Sequence, residues 1–210
     1  MIHFEKHYFA ERRGSKFRSL IVVDIQPLYE EGIKRSFDLE DFGDFLSEIK
    51  EGVLFFYNGP ETIGSDDSPE VIQQWLMEHN PKLEEFDWEQ VEWYDKGYSF
   101  FRDWTDAGVS NNGMVKALRH MYTNRKYDSR EVSVEEWEKV LPQSDFNAIK
   151  DALEDEGLTI WTPDISISEL REWSGSLLCG GGMNECLKEI QILMNAFNIK
   201  YSLVDKFVYY

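Results

Sequence analysis

The sequence predicts an α/β protein: a three-layer sandwich with a mostly parallel central sheet and a helical insertion over about residues 108–157. Three observations carry that expectation. Short apolar runs without polar alternation, "LIVV" and "VLFFY", are the pattern of strands covered on both faces. Capped amphipathic stretches lie between them, so strand and helix alternate along the chain. From Gly108 to about Gly157 the alternation gives way to helical signals alone.

The elements follow in order. "RSLIVVDI" (18–25) is the first buried strand, ending in Asp24 and Ile25. Over 36–52, Ser36 is the N-cap candidate, Phe42, Phe45, Leu46 and Ile49 make a helical stripe, and Gly52 is the stop. "VLFFYNG" (53–59) is the second strand. Ser68 before Pro69 opens a helix over 67–80, with Val71, Ile72, Trp75 and Leu76 facing inward. "VEWYDK" (91–96) is the third strand. In the helical block, Met114, Val115, Leu118 and Met121 share one face, and Ser133 with Glu136 has capping-box spacing. The sheet pattern resumes with "LTIW" (158–161) and "SLLCG" (176–180), then a helix over 184–198 and the strand "IKYSLVD" (199–205).

Composition narrows the function classes. In 210 residues, 40 acids against 22 bases give a net charge of −18, which repels phosphate backbones, so no nucleic-acid partner is expected. The short basic stretch "RHMYTNRKY" (119–127) reads as a solvated helix face. No apolar run is long enough to span a membrane, and the N-terminal residues carry no secretion-signal pattern. Two cysteines, Cys179 and Cys186, are too few for a disulfide framework and fit a reducing cytoplasm. The four histidines lack metal-ligand spacing, so neither a metal nor another cofactor is expected. The expected partner is a small-molecule substrate, and a homo-oligomer is left open.

Ligand sites in open parallel sheets gather at the carboxyl ends of the strands. Asp24 ends the first strand, Tyr57 and Asn58 the second, Lys96 the third, and "GGGMNEC" follows a later one. A cysteine at the start of a helix gains from the positive end of the macrodipole, which favours thiolate. A neighbouring lysine lowers a thiol pKa further, a carboxylate can take the thiol proton, and glycines let backbone N–H groups turn inward. Asp24, Lys96 and Cys186 are therefore the catalytic candidates. Cys179, inside an apolar run, reads as core filler.

These segments resemble the isochorismatase-like cysteine hydrolases. "LIVVDIQ" is similar to the family's opening strand with its aspartate, "YDKGYSFF" to its lysine motif, and "GGGMNECL" to the segment before its nucleophile. "MNAFNIKYSLVDKFV" is similar to the helix and strand that follow. The resemblance implies Asp24 as base, Lys96 as charge stabiliser and Cys186 as nucleophile. It also implies an oxyanion hole of backbone amides at Gly182, Met183 and Cys186, with a cis peptide at Gly182–Met183. Gln26, Tyr57, Asn58, Tyr98 and Phe101 are the substrate-binding candidates. The sequence departs from the family pattern in several places. The stretch from Lys96 to Cys186 is longer than usual because of the helical block, and "GGGMNE" replaces the family's threonine-aspartate pattern. Residues matching the nicotinamidase metal ligands are missing, and the chain ends shortly after the strand at 205.

Other readings weigh against this one. Asp24 is also compatible with a cap, Lys96 with a surface lysine paired to Asp95, and Cys186 with a small core residue. Gly180 and Gly182 followed by Asp205 partly match a dinucleotide fingerprint, but Glu185 stands where its third glycine belongs. An inactive relative that binds a small molecule or a protein is the main alternative.

Overall fold

Continuous apolar strands need cover on both sides, and the chain supplies it with helices. The structure, a computed structural model, describes residues 19–60, 66–96, 100–153, 159–162 and 165–210. Strand β1 (Leu20–Val23) leads through α1 (Glu30–Lys34) and α2 (Leu39–Ser47) to β2 (Val53–Tyr57). Helix α3 (Pro69–His79) then leads to β3 (Val91–Asp95). A helical stretch follows: α4 (Arg102–Asp106), α5 (Asn111–Asn124), α6 (Val134–Val140), α7 (Gln143–Ile149) and α8 (Ile167–Glu172). Strand β4 (Ser176–Gly180), α9 (Cys186–Ala196) and β5 (Tyr201–Val208) complete the described chain.

The five strands form one all-parallel sheet in the order β3-β2-β1-β4-β5. Connections run outward from β1 in one direction and from β4 in the other, so the order reverses between these two neighbours. That is a topological switch point, where side chains from diverging loops can converge.

The period-2 alternation of the strands divides two cores. Ile21, Val23, Leu54, Phe56 and Leu178 point to the face covered by α4–α9. Leu20, Val22, Phe55, Leu177 and Cys179 point to the face covered by α1–α3, with Phe42, Leu46, Ile72 and Leu76. The predicted insertion is no separate unit. Met114, Leu118 and Met121 of α5 share the core of α9 and the sheet, and Trp104 packs edge-on to Trp137 at 4.9 Å.

Several expectations are corrected. Ser36 does not cap α2: Asp38 does, accepting from the Glu40 amide, while Ser36 Oγ donates to the Gly32 carbonyl. Val71 is exposed, because the inward face of α3 is set by Ile72, Trp75 and Leu76 alone. "LTIW" forms no sheet strand: Trp161 makes an isolated antiparallel bridge with Asp128, and its amide donates to the Phe100 carbonyl. Leu158 of that run and the stop at Gly157 lie outside the described residues. The last strand begins at Tyr201 and continues to Val208, past the expected end. Ser68 and the Ser133–Glu136 box cap as expected.

Candidate active site

Asp24 follows β1 directly, and its backbone is the first unusual feature of the rim. Its φ is 53°, the left-handed region that few residues other than glycine, asparagine and aspartate enter. Its amide donates to the Phe56 carbonyl at 2.9 Å, which keeps the residue in line with the sheet while the chain turns. The side chain is fully buried.

Lys96 comes from the end of β3, its amide held by the Tyr57 carbonyl at 2.9 Å. Its ammonium is buried too, 3.1 Å from Asp24 Oδ2 and donating to Asn58 Oδ1 at 3.0 Å. The contact with Asp24 is an ion pair rather than an aligned hydrogen bond, since neither Asp24 oxygen accepts one of good geometry. Asp95 is not the partner that a surface lysine would use; its carboxylate accepts from the Gly59 amide.

Cys186 is the first residue of α9, and its thiol is close enough to Asp24 and Lys96 for their charges to act on it. Two glycines make this approach possible. Gly180 has φ +108°, and a Cβ there would collide with the Val23 carbonyl of the neighbouring strand. A Cβ on Gly181 would enter the Tyr209 ring. Gly182 has no such neighbour. Acid, ammonium and thiol, far apart in sequence, thus meet at the switch point.

The charges here are strongly coupled. Burial pushes the Asp24 carboxyl above its ordinary value, and the opposing pull of Lys96 and of the Cys186 thiol does not cancel it. Burial, then the charge of Asp24, push the Cys186 thiol up against the pull of Lys96. For Lys96, burial alone would lower the pKa, but Asp24, Cys186 and Glu189 outweigh it and hold the group as an ammonium. The helix start, expected to favour the thiolate, does not prevail: burial first, then the charges of Asp24 and Glu189, hold the sulfur as a thiol that Asp24 must deprotonate.

Sequence reasoning missed four participants. Glu189, one turn beyond Cys186, is buried, and its Oε1 accepts the Phe100 and Phe101 amides at 3.2 and 3.0 Å. Its signal was a charge interrupting the apolar stripe of α9. Asp67 receives Gln26 Nε2 at 2.8 Å and the Leu28 amide at 3.0 Å. Tyr29 OH accepts from Asn58 Nδ2. Tyr209 donates its hydroxyl to the Asp24 carbonyl at 2.8 Å.

The substrate-binding candidates divide. Phe101 lines a cleft of about 150 Å³ beside Cys186, with Glu189 and Ile192. Arg102 and Glu185 are ion-paired at 2.9 Å on its more exposed side. Gln26 and Asn58 do not line it. Gln26 exchanges bonds with the Asn58 backbone, its Oε1 taking the amide at 2.8 Å and its Nε2 reaching the carbonyl at 3.1 Å, and Asn58 holds Lys96. Tyr57 points to the opposite face of the sheet, edge-on to Trp93 at 6.0 Å, because it has the strand parity of Phe55. Tyr98 lies outside the described residues.

The oxyanion candidates divide as well. The Cys186 amide, the first of its helix, has no acceptor among the described residues. The Met183 amide is engaged by the Tyr209 carbonyl at 3.0 Å, so it is not a waiting donor. Gly182 contributes its carbonyl, which accepts from the Glu185 and Leu187 amides. The expected cis bond at Gly182–Met183 is absent: no peptide among the described residues is cis, and the turn closes with the trans form, lower by about 3 kcal/mol.

No group of His, Cys, Asp and Glu among the described residues is arranged to hold a metal, and no helix among them is long and apolar enough to cross a membrane. Comparison with protein-family models, with curated proteins and with solved structures finds no match.

Proposed function

We propose that this chain is a cysteine hydrolase of the isochorismatase-like kind, acting on a small amide or a related C–N or C–O substrate. The observation that carries the reading is the buried Asp24–Lys96 pair behind Cys186, which itself lines one small cleft. A carboxylate whose proton affinity is raised towards that of a thiol is a better base for it. As the sulfur attacks the substrate carbonyl carbon, Asp24 takes its proton, and the oxyanion forms near the Cys186 amide and the N-terminus of α9. Asp24 then gives that proton to the leaving nitrogen or oxygen. Water, deprotonated by Asp24, cleaves the thioester and restores the thiol. Lys96 stays charged throughout and offsets the negative charge that moves between oxygen and sulfur.

The test is a screen of small carboxamides by product analysis, with intact-mass detection of an acyl adduct on Cys186. Cys186→Ala is expected to lower turnover by roughly a thousandfold or more while circular dichroism and thermal midpoint stay close to wild type. Asp24→Asn should lose turnover as well. Full activity in Cys186→Ala on a substrate turned over by the wild type would end the mechanism. A second reading, a binding protein with the same buried trio, is favoured by the engaged Met183 amide and the upward-shifted thiol. Saturable binding of a carboxamide without any adduct would support it.

A further inference from the structure

Tyr209 touches the Asp24 turn and the glycine-rich turn before Cys186, although it lies on neither. Its amide donates to the Gly180 carbonyl at 3.3 Å, and its carbonyl accepts from the Met183 amide at 3.0 Å. Its ring occupies the space that the missing side chain of Gly181 leaves, and it lies 6.1 Å from the ring of Tyr29, the residue bonded to Asn58. Its hydroxyl reaches across the sheet edge to the main-chain carbonyl of Asp24 at 2.8 Å. The ring and hydroxyl are buried, so water does not compete for that bond.

The partner it selects is telling. A phenol is not needed to hydrogen-bond a carbonyl at a strand end, where the next amide or solvent ordinarily serves. Here the carbonyl belongs to a non-glycine residue with φ 53°, a strained conformation that persists only when surrounding contacts hold it. The orientation of that peptide sets where the Asp24 carboxylate stands relative to the Cys186 thiol.

We infer that Tyr209 is a positioning residue for the proposed hydrolysis: its hydroxyl locks the left-handed turn at Asp24 so that the carboxylate faces the thiol. This inference rests on the hydrolase reading above. Three charged groups act most on the sulfur, Asp24 from the end of β1, Lys96 from the end of β3 and Glu189 from α9; Arg102 and Asp106 of α4, with Glu185 and Lys188, line the same cleft. Of the three, Tyr209 bonds only to Asp24 among the described residues. Removal of the hydroxyl deletes none of these three groups but frees the Asp24 peptide to turn, which lets the carboxylate swing away from the thiol.

The experiment is the pH profile of Cys186 alkylation by iodoacetamide, followed by peptide mass mapping in wild type, Tyr209→Phe and Asp24→Asn. Asp24→Asn keeps a residue that tolerates the left-handed region and removes the charge opposing ionisation, so the midpoint should fall by about one pH unit or more. Tyr209→Phe should shift the midpoint the same way by about half a unit. On any carboxamide substrate found, it should also lower kcat about tenfold with little change in KM. If Asp24→Asn shifts the profile and Tyr209→Phe only lowers the thermal midpoint, Tyr209 is a packing contact, the inference is overturned and the hydrolase reading stands. If neither variant shifts the profile, Asp24 and Cys186 are not coupled and both fall.

Discussion

Cys179 and Cys186 stand on either side of one glycine-rich turn, in two regions built on opposite principles. Cys179 belongs to the body of the sheet. It pairs with Val22 in the sheet inside an apolar core, and burial alone pushes its thiol up. Cys186 belongs to the rim, where burial acts together with the charges of Asp24, Lys96 and Glu189. The body is made by pattern: any residue of suitable size and parity would serve. The rim is made by individual bonds, each fixing one buried polar group. Burial alone therefore makes a cysteine inert, and a counted set of charges is needed to give it a reaction partner.

The comparison breaks most sharply at Lys96. Lys96→Met leaves Asp24 buried without the ammonium that neutralises it and removes the lysine's hydrogen bond to Asn58 Oδ1, and should cost about 3–5 kcal/mol in denaturant unfolding at neutral pH. The loss should shrink in acid, where Asp24 is protonated. The double variant Lys96→Met with Asp24→Asn should recover much of the difference. An apolar substitution in the sheet body, by contrast, has no pH-dependent remedy. Equal losses at pH 5 and pH 8 for the single variant would show that Asp24 does not depend on Lys96.

A smaller effect lies in the pH dependence of the wild type. The folded pKa of Asp24 is raised above its unfolded value of about 4, so the folded state holds the proton more tightly. The associated stability is fully present below about pH 4 and is lost as pH rises through the folded value. Against Asp24→Asn, the wild type should therefore lose relative stability from pH 4 upward. Paired urea titrations check this, and a difference that stays flat over pH 4–8 would contradict the raised value.

The body of the sheet was legible because period and apolarity are local. The runs at 20–23, 53–57 and 176–180 became the three central strands, buried on both faces as expected. The rim was legible only where a strand end exposes a chemically loud residue, hence Asp24, Lys96 and Cys186. Gln26 and Asn58 were identified, but their roles were not. A glutamine spanning a neighbouring strand's peptide and an asparagine holding a lysine look, in one dimension, like substrate ligands. The left-handed Asp24 leaves no mark in sequence, since aspartate also serves in caps and turns. Tyr209 was invisible for a different reason: it adjoins a second tyrosine, and only the structure distinguishes the buried ring from exposed Tyr210.

The smallest expected effect sharpens the contrast from the other side. Cys179→Ala removes one buried sulfur from the β4 strand and leaves every bond of the rim in place. The lost packing should cost about 1 kcal/mol, within the usual range for a one-atom cavity in a core. Cys186→Ala should cost about as much, since it too loses one buried sulfur. The two variants would then match in unfolding and differ wholly in reaction with carboxamides and iodoacetamide. If Cys179→Ala instead altered the alkylation profile of Cys186, the Gly180–Gly181 turn would be transmitting strain from body to rim. The two regions would then act as one.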